Sequence, residues 1–391
     1  MSVCMKRALL FVFLAVILTS AVCPHAEVSA AELDIDAKSC ILMEMTTGTV
    51  LYEYNADEAL PPASVTKIMT ILIVIDAIDD GMISSDDIVT VSANAASMGG
   101  SQVYLEAGEE MSVGELLKCV IIASANDAAV ALAEYVSGSE SAFVERMNER
   151  AAGLGMTNTH FVNTNGLDDS PDAENHLTSA RDIAIMSCEL MTKHPEVTEY
   201  TTVWMDTIRN GEFGLTNTNR LIRFYRGATG LKTGSTSKAG FCISATAERD
   251  GMQLVAVIMG SPTRDVRNEA AKTLLDYGYA NFSLYTSNGG EGENIAVTGG
   301  KADTAATEYA SFSCVLGKGK AASVTEEITI NKSAAAPLSV GDIVGEATYT
   351  LDGEVIGSVP VTVSESVERI GYLDIIYRMF LSLIGKYSPS A

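Results

Sequence analysis

The chain has 391 residues, of which 47% are hydrophobic and 19% are charged, and its formal net charge at pH 7 is −24. Such a length predicts more than one domain, because a typical domain has about 100–200 residues. The acidic balance argues against nucleic acid as a partner and against any anionic polymer held by bulk attraction, so an anionic partner must be bound locally.

Residues 1–30 are typical of a signal peptide, and they predict an exported protein. Lys6 and Arg7 precede an apolar run from Ala8 to Leu18, and Val28-Ser29-Ala30 offers small residues for cleavage. The cysteines beyond this segment are scattered without metal or redox spacing, which predicts buried thiols rather than disulfides. No cluster has zinc spacing and no glycine-rich phosphate loop is present, so we expect neither a metal nor another cofactor.

The next predicted elements are a β-hairpin over residues 40–54 and a buried helix. Pro61-Pro62 hold the backbone extended ahead of an almost wholly apolar run from Ile68 to Ile78. This run predicts a helix that begins near Ser64, is buried on every side, and stops at Gly81.

Ser64 and Lys67 lie at the first turn of this helix, three positions apart and therefore on one face. A serine hydroxyl becomes a good nucleophile when a neighbouring base removes its proton, and a lysine is such a base when burial or a nearby cation lowers its pKa. The helix tip also leaves backbone N–H groups free for a developing oxyanion. Ser-x-x-Lys recurs by chance in many proteins, so the pair taken alone is more typical of an N-cap serine beside a surface lysine.

Apolar periodicity predicts further helices, over residues 113–123, 128–136, 141–153, 178–191 and 266–279. The first of these has a possible capping box in Ser112 and Glu115. Three strands are predicted, over residues 231–235, 240–247 and 252–259, with Asp250-Gly251 as a hairpin turn between the last two.

The remaining chain predicts a small β domain and an amphipathic tail. The glycine-rich stretch 287–292 breaks the pattern, and β-prone runs then cover residues 326–330, 343–351 and 355–363. Beyond residue 366, apolar residues recur every three or four positions opposite a narrow polar stripe, and the charges within the segment disfavour a spanning helix. We expect an anchor at a membrane surface through residues 366–386; packing of this helix on the β domain is the alternative.

Three polar motifs occur in order: Ser64-x-x-Lys67, Ser124-x-Asn126 and Lys232-Thr233-Gly234. Each is a weak signal by itself, but together they are the signature of the penicillin-binding proteins and serine β-lactamases. With the segments Asn165-Gly166-Leu167 and His176 to Asp182, they make residues 32–285 resemble the low-molecular-mass D-alanyl-D-alanine carboxypeptidases. The β domain and the tail are similar to that family's usual arrangement.

The resemblance implies an α/β (α+β) fold with a central antiparallel sheet between helical layers. With the segments identified above from the residues, we expect four parts: a signal peptide (1–30), a serine DD-peptidase domain (31–286), a small all-β domain (293–365) and an amphipathic membrane-anchor helix (366–391). The serine should lie at a helix tip that faces a sheet edge.

The resemblance also implies catalytic roles. Ser64 would be the nucleophile that forms an acyl-enzyme, and Lys67 would be the base that takes its proton. Ser124 would pass a proton towards the leaving amine.

Substrate binding would fall to residues around these three. Asn126 would hold Lys67 and the substrate amide, Lys232 would fix charge in the cleft, and Thr233 would contact the substrate carboxylate. Gly234 and Ser235 continue the binding strand, and the N–H groups of Ser64 and Ser235 would form the oxyanion hole. Either Arg264 or Arg267 is a candidate for the terminal carboxylate, with a surface ion pair as the alternative.

The implied protein is a serine-type D-Ala-D-Ala carboxypeptidase at the outer face of the cytoplasmic membrane. Its substrate would be a peptidoglycan stem peptide ending in D-Ala-D-Ala, and β-lactam antibiotics would be covalent inhibitors.

Three rivals stay open. A β-lactamase is disfavoured because the stretch from Glu174 to Thr178 lacks the asparagine of a Glu-x-x-Leu-Asn pattern. A non-catalytic penicillin-binding sensor or scaffold is disfavoured because the motif side chains are intact. A transpeptidase or endopeptidase would use the same site.

Overall fold

A computed structural model describes residues 33–169 and 171–384, and the predicted signal peptide lies outside the described residues. The chain divides into two compact units, of which one ends at Leu284 and the other begins at Tyr285.

The first unit is built around a five-stranded antiparallel sheet. The strands of this unit are β1 (Ser39–Glu44), β2 (Val50–Tyr54), β3 (Ile88–Thr90), β4 (Glu110–Ser112), β5 (Met205–Ile208), β6 (Phe213–Thr216), β7 (Ala228–Thr236), β8 (Gly240–Arg249) and β9 (Met252–Ser261). The central sheet has the order β2-β1-β9-β8-β7, whereas β3–β4 and β5–β6 form separate two-stranded sheets. The predicted antiparallel sheet and both of its hairpins are therefore confirmed.

Helices cover both faces of the central sheet. They are α1 (Lys67–Asp79), α2 (Ala93–Ala96), α3 (Val113–Lys118), α4 (Asn126–Ser137), α5 (Glu140–Gly153), α6 (Ala180–Lys193), α7 (Thr198–Thr201), α8 (Leu221–Phe224) and α9 (Arg264–Asn281). On β1, Met43 contacts Cys188 of α6, whereas Leu42 lies against Gly278 of α9. Since adjacent strand residues point to opposite faces, α6 and α9 lie on opposite sides, as the predicted layered fold requires.

Helix α1 is the centre of the core of this unit. Every residue from Lys67 to Ile75 is buried, because the run is apolar on all sides and packs among α4, α5 and α6. The helix predicted over 113–123 is α3 followed by a π-helical turn, Cys119–Ala123, and the Ser112 side chain caps it by accepting the N–H of Glu115. Strands β5 and β6 lie in a stretch that the sequence did not identify as structured.

The second unit is a β structure with its own core. After β10 (Phe282–Ser287), its strands are β11 (Gly290–Thr298), β12 (Thr304–Tyr309), β13 (Phe312–Gly317), β14 (Thr325–Ile330), β15 (Ser333–Ala335), β16 (Ile343–Leu351) and β17 (Glu354–Val363). Six of them form one sheet in the order β14-β16-β17-β12-β11-β15. Strands β14, β16 and β17 were predicted from the sequence. Strand β11, by contrast, begins within the glycine-rich stretch that we expected to be a domain boundary.

The tail forms helix α10, Tyr372–Leu383, with Gly371 as its N-cap. None of its residues is buried, and Leu373 and Leu383 are 79% and 85% exposed. On its polar side, Arg378 donates to Asp303 Oδ1 at 3.1 Å. Within the described ranges, no helix combines the length and apolar composition needed to cross a bilayer.

The five cysteines in the described residues carry reduced thiols. Four of them are buried, at positions 40, 119, 242 and 314, and Cys188 is half-buried. The prediction of buried thiols is therefore confirmed at four of these five positions.

Candidate active site

The site begins at a tight turn between Pro62 and α1. A 3-10 helix, Ala63–Thr66, precedes α1 and places half-buried Ser64 at the tip. Ala63 has φ +49°, a left-handed conformation that is unfavourable for a residue with a Cβ. The backbone before Ser64 is therefore held in place by its surroundings.

Lys67 lies at the centre of the arrangement and contacts three other residues. Its Nζ lies 3.0 Å from Ser64 Oγ, and it donates to Asn126 Oδ1 at 2.6 Å and to the carbonyl of Asn165 at 2.8 Å. The side chain is fully buried. Burial first, and then repulsion from Lys232, hold the pKa of Lys67 well below its usual value, although Asp127 opposes this. A neutral amine in contact with a serine hydroxyl can accept the proton of that hydroxyl.

Ser124 and Lys232 form a second hydroxyl–amine pair opposite the first. Ser124 ends the π-helical turn in a left-handed conformation, φ +63°, which turns its side chain towards β7. Lys232 Nζ donates to Ser124 Oγ at 2.7 Å. Burial and then Arg267 lower the pKa of Lys232 to about 7.

Asn126 connects Lys67 to the loop that contains Gly99. Its Oδ1 accepts from Lys67, and its Nδ2 donates to the carbonyl of Gly99 at 2.7 Å. The neighbouring Asp127 accepts the backbone N–H groups of Val103 and Leu105, both at 3.1 Å through Oδ2. This carboxylate fixes the loop that forms one wall of the site.

Strand β7 forms the opposite wall and lies very close to the Ser64 turn. A Cβ on Gly234 would lie 2.7 Å from the backbone nitrogen of Ser64 and 2.9 Å from that of Val65. Only glycine permits this approach. Thr233 Oγ1 donates to Thr218 Oγ1 at 2.9 Å, and Ser235 is exposed at the strand end.

A cleft of about 480 Å³ opens above these groups. Five of the predicted site residues line this cleft: Ser64, Ser124, Thr233, Gly234 and Ser235. The other lining residues are Ser101, Trp204, Thr216, Asn217, Thr218, Arg220, Arg264 and Arg267. Arg267 is buried and donates to Asn268 Oδ1 at 2.8 Å, whereas Arg264 is exposed. The arginines make this cleft a local cationic site on an acidic protein.

The structure brings all eight predicted site residues to this one cleft or directly beneath it. Sequence reasoning gave no role to the Asn165 carbonyl, the Asp127 carboxylate or the cleft-lining Trp204 and Arg220. Asn165 was present only as part of a resembling segment, and a backbone carbonyl has no residue-type signal. Asp127 directly follows the second motif, which is the signal that could have identified it.

Glu174, the nearest match to a β-lactamase glutamate, does not belong to the site. It is exposed in a short 3-10 helix, Ala173–Asn175, and is not among the described residues that line the cleft.

Comparison with known proteins gives consistent matches. The family described as D-alanyl-D-alanine carboxypeptidase matches residues 26–263, and the C-terminal domain of penicillin-binding protein 5 matches residues 281–369. The D-alanyl-D-alanine carboxypeptidase DacF of Bacillus subtilis is 41% identical over 355 residues, which are 89% of this chain and 90% of the relative.

Solved structures agree with these matches. Penicillin-binding protein 5 from Haemophilus influenzae has a TM-score of 0.76 at 32% identity, over 87% of this chain and 99% of that one. Penicillin-binding protein D2 from Listeria monocytogenes, in its ampicillin-bound form, has a TM-score of 0.59 at 31% identity, over 64% of this chain and 100% of that one.

Proposed function

Because the chain belongs to the D-alanyl-D-alanine carboxypeptidase family, we propose that it removes the C-terminal D-alanine from peptidoglycan pentapeptides through an acyl-enzyme on Ser64. The observation that carries this proposal is the buried Lys67 amine, 3.0 Å from Ser64 Oγ, beside the Ser124–Lys232 pair. Both hydroxyl–amine pairs border the same cleft.

Acylation begins at Ser64. Its Oγ attacks the carbonyl carbon between the two D-alanines while Lys67 Nζ takes the hydroxyl proton. The oxyanion that forms accepts hydrogen bonds from the N–H groups of Ser64 and Ser235. The close approach of β7 at Gly234 supports this assignment, because it lays Ser235 beside the turn.

The leaving group departs on the side of Ser124. As the C–N bond breaks, the amine of the terminal D-alanine needs a proton, which Ser124 Oγ supplies and recovers from Lys232 or Lys67. Water then attacks the acyl carbon, and Lys67 Nζ, neutral again once its proton has been passed on, takes a proton from this water. The bond from the acyl carbon to Ser64 Oγ breaks as Oγ receives that proton, which releases the shortened peptide and restores Ser64. A penicillin acylates Ser64 in the same way, but its opened amide stays attached, so the acyl-enzyme is expected to persist.

The substrate carboxylate is assigned to Thr233 and Arg267. Burial and then repulsion from Arg264 lower the pKa of Arg267 to about 10, so it remains a cation at neutral pH. Its guanidinium is fixed by neutral oxygens, which leaves its charge for a ligand. Arg264 also lines the cleft, but its exposure makes it the weaker candidate.

The rivals have less support. A β-lactamase needs a base for rapid deacylation, and Glu174 is exposed outside the cleft-lining set within the described residues. A non-catalytic sensor would not need two depressed lysine pKa values beside hydroxyls. Transpeptidation would use the same acyl-enzyme with an amine in place of water.

We also propose an exported enzyme that sits at the outer face of the cytoplasmic membrane, since its substrate is part of the cell wall. Helix α10 supports a surface anchor: Tyr372, Leu373, Tyr377, Phe380 and Leu383 are each more than half exposed. Arg378 on the polar side contacts Asp303, so the apolar residues remain available for lipid.

The nucleophile assignment is tested by Ser64→Ala in purified protein. A pentapeptide ending in D-Ala-D-Ala is supplied, and products and penicillin adducts are identified by mass. We expect loss of both D-alanine release and the penicillin adduct, because no other hydroxyl contacts Lys67 in the described site. Ser237→Ala, at an exposed serine beyond the cleft, is the control. Persistent D-alanine release from Ser64→Ala would rule out the assigned nucleophile.

A further inference from the structure

His176 is a buried side chain near the active site that the mechanism above does not use. It is 3% exposed, and it bridges two segments. Its Nδ1 faces the backbone N–H of Val162 at 3.0 Å, and its Nε2 lies 2.7 Å from Thr66 Oγ1. Thr66 lies directly before Lys67 in the chain and is fully buried.

The contacts fix the tautomer of His176. A backbone N–H can only donate, so Nδ1 accepts and the ring proton is on Nε2, which donates to Thr66 Oγ1. Burial, then His160 and Lys67, lower the pKa of His176 to about 4, so the imidazole is neutral at neutral pH.

Thr66 connects His176 to the backbone that precedes Ser64. Its hydroxyl donates to the carbonyl of Ala63 at 2.8 Å. That carbonyl belongs to the same peptide group as the Ser64 N–H. Gly166 encloses the other side, because a Cβ there would lie 1.9 Å from the Ala63 oxygen. The strained Ala63 conformation is therefore held by a buried, directional chain of hydrogen bonds.

We propose that His176 is a positioning residue for acylation, which acts through the Thr66 hydroxyl on the Ala63–Ser64 peptide group. A hydrogen bond accepted by a peptide carbonyl polarises the group and strengthens its N–H as a donor. The Ser64 N–H is one of the two oxyanion-hole donors assigned above, so this inference rests on the proposed function. The chain of bonds aims this donor and strengthens it as the oxyanion forms.

The proposal predicts a particular kinetic signature. Oxyanion stabilisation acts in the transition state, so its loss lowers the rate constant of acylation and leaves the initial binding of a penicillin nearly unchanged. If the role were purely structural, its loss would change both the acylation rate constant and the initial binding of a penicillin, because a displaced Ser64 turn also changes the floor of the cleft.

The test compares Thr66→Val, which removes the hydroxyl at similar volume, with Thr66→Ser, which retains it. Stopped-flow acylation by a fluorescent penicillin separates the acylation rate constant from the dissociation constant. We expect Thr66→Val to slow acylation about tenfold or more with a dissociation constant within about threefold of wild type, and Thr66→Ser to stay within about threefold in both.

A second pair addresses His176 itself. His176→Gln keeps an N–H at the distance of Nε2, whereas His176→Asn places its amide at the distance of Nδ1 and cannot reach Thr66. We expect His176→Asn to slow acylation as much as Thr66→Val does. We expect His176→Gln to retain a large part of the wild-type acylation rate. His160→Gln, at an exposed histidine, is the control and should leave the rate unchanged.

The outcomes separate this inference from the proposed function. If wild type is acylated on Ser64 and Thr66→Val is as fast as Thr66→Ser, the positioning role is overturned while the peptidase function stands. Nitrogen-15 NMR of histidine-labelled protein gives an independent readout, since a proton on Nδ1 of His176 would also overturn it. If wild type is not acylated at all, the proposed function fails first. If a His176 variant does not fold, the comparison of Thr66→Val with Thr66→Ser still tests the positioning role.

Discussion

We assign different tasks to the two buried lysines of the site, and the surroundings of each side chain support the assignment. Burial contributes most to lowering each pKa, and each also lies near a second cation: Lys67 near Lys232, and Lys232 near Arg267. The lowered pKa of Lys67 favours its neutral form, which is the form that could accept the Ser64 proton. Lys232, with a pKa of about 7, is near half-protonation and can still attract a substrate carboxylate.

The lowered pKa of Lys232 predicts how substrate binding depends on pH. Because repulsion from Arg267 helps to lower this pKa, Arg267→Gln should raise it, and Lys232 should keep its charge to higher pH. For wild type, KM for a carboxylate substrate should rise as pH increases through about 7. In Arg267→Gln this rise should begin about one pH unit higher, on top of a larger KM at every pH.

Steady-state kinetics with the pentapeptide across this pH range would measure the shift. Arg264→Gln is the matched control, since Arg264 is exposed and is not among the causes of the Lys232 shift. If KM begins to rise at the same pH in wild type and in Arg267→Gln, then Arg267 does not lower the pKa of Lys232.

At the scale of elements, the site depends on the contact between the Ser64 turn and β7. The contact atoms are backbone atoms, so neither side can move without shifting the oxyanion hole. Gly234→Ala should push β7 away from the turn and slow penicillin acylation by about a hundredfold, with a loss of about 1–3 kcal/mol in the free energy of unfolding.

Stopped-flow acylation and urea unfolding would check both effects. Gly214→Ala on β6 is a suitable control, because a Cβ there meets nothing within 4 Å. If Gly234→Ala is acylated at the wild-type rate, acylation does not depend on the close approach of β7 to the Ser64 turn.

Helix α10 gives a second prediction at this scale. Val367 is buried in the core of the second unit and Arg369 bridges to Gly300, so a truncation at residue 366 would damage that unit. A chain that ends at Ile370 should keep its acylation rate and lose most of its membrane-bound fraction, since the apolar helix residues are removed.

Fractionation of cells that express each form, followed by labelling with a fluorescent penicillin, would measure this. Leu373→Ser with Leu383→Ser should reproduce the loss with the helix still present. If membrane binding persists and the melting temperature falls instead, α10 packs on the β unit and is not an anchor.

At the scale of the whole molecule, the two units have separate cores, and every assigned site residue lies in the first. A chain that ends at Leu284 should therefore fold and acylate with penicillin within about threefold of the full chain, because it keeps a large core of its own. Purified truncated protein and the same stopped-flow assay would test this. A folded but unreactive truncated chain would place part of the site's support in the second unit.

The sequence could predict those parts of the molecule that depend on neighbours along the chain. Ser64 and Lys67 share a helical face, so their contact followed from spacing, and the central hairpins followed from apolar runs with a turn between them. The Asn165 carbonyl reaches Lys67 across 98 positions, and that contact is set by tertiary packing, which no local pattern encodes. Strand β11 was missed because its residues are mostly exposed and its glycines are typical of turns.

The reduced cysteines have a practical consequence for work on this protein. Burial raises the pKa of Cys40, Cys119 and Cys188 to about 12 and that of Cys242 to about 11, so almost none of these thiols is ionised under ordinary conditions. Since alkylating reagents react with the thiolate, a single cysteine introduced on the surface would react far ahead of these four. Dyes or spin labels could then be attached at one chosen position while the native cysteines stay in place.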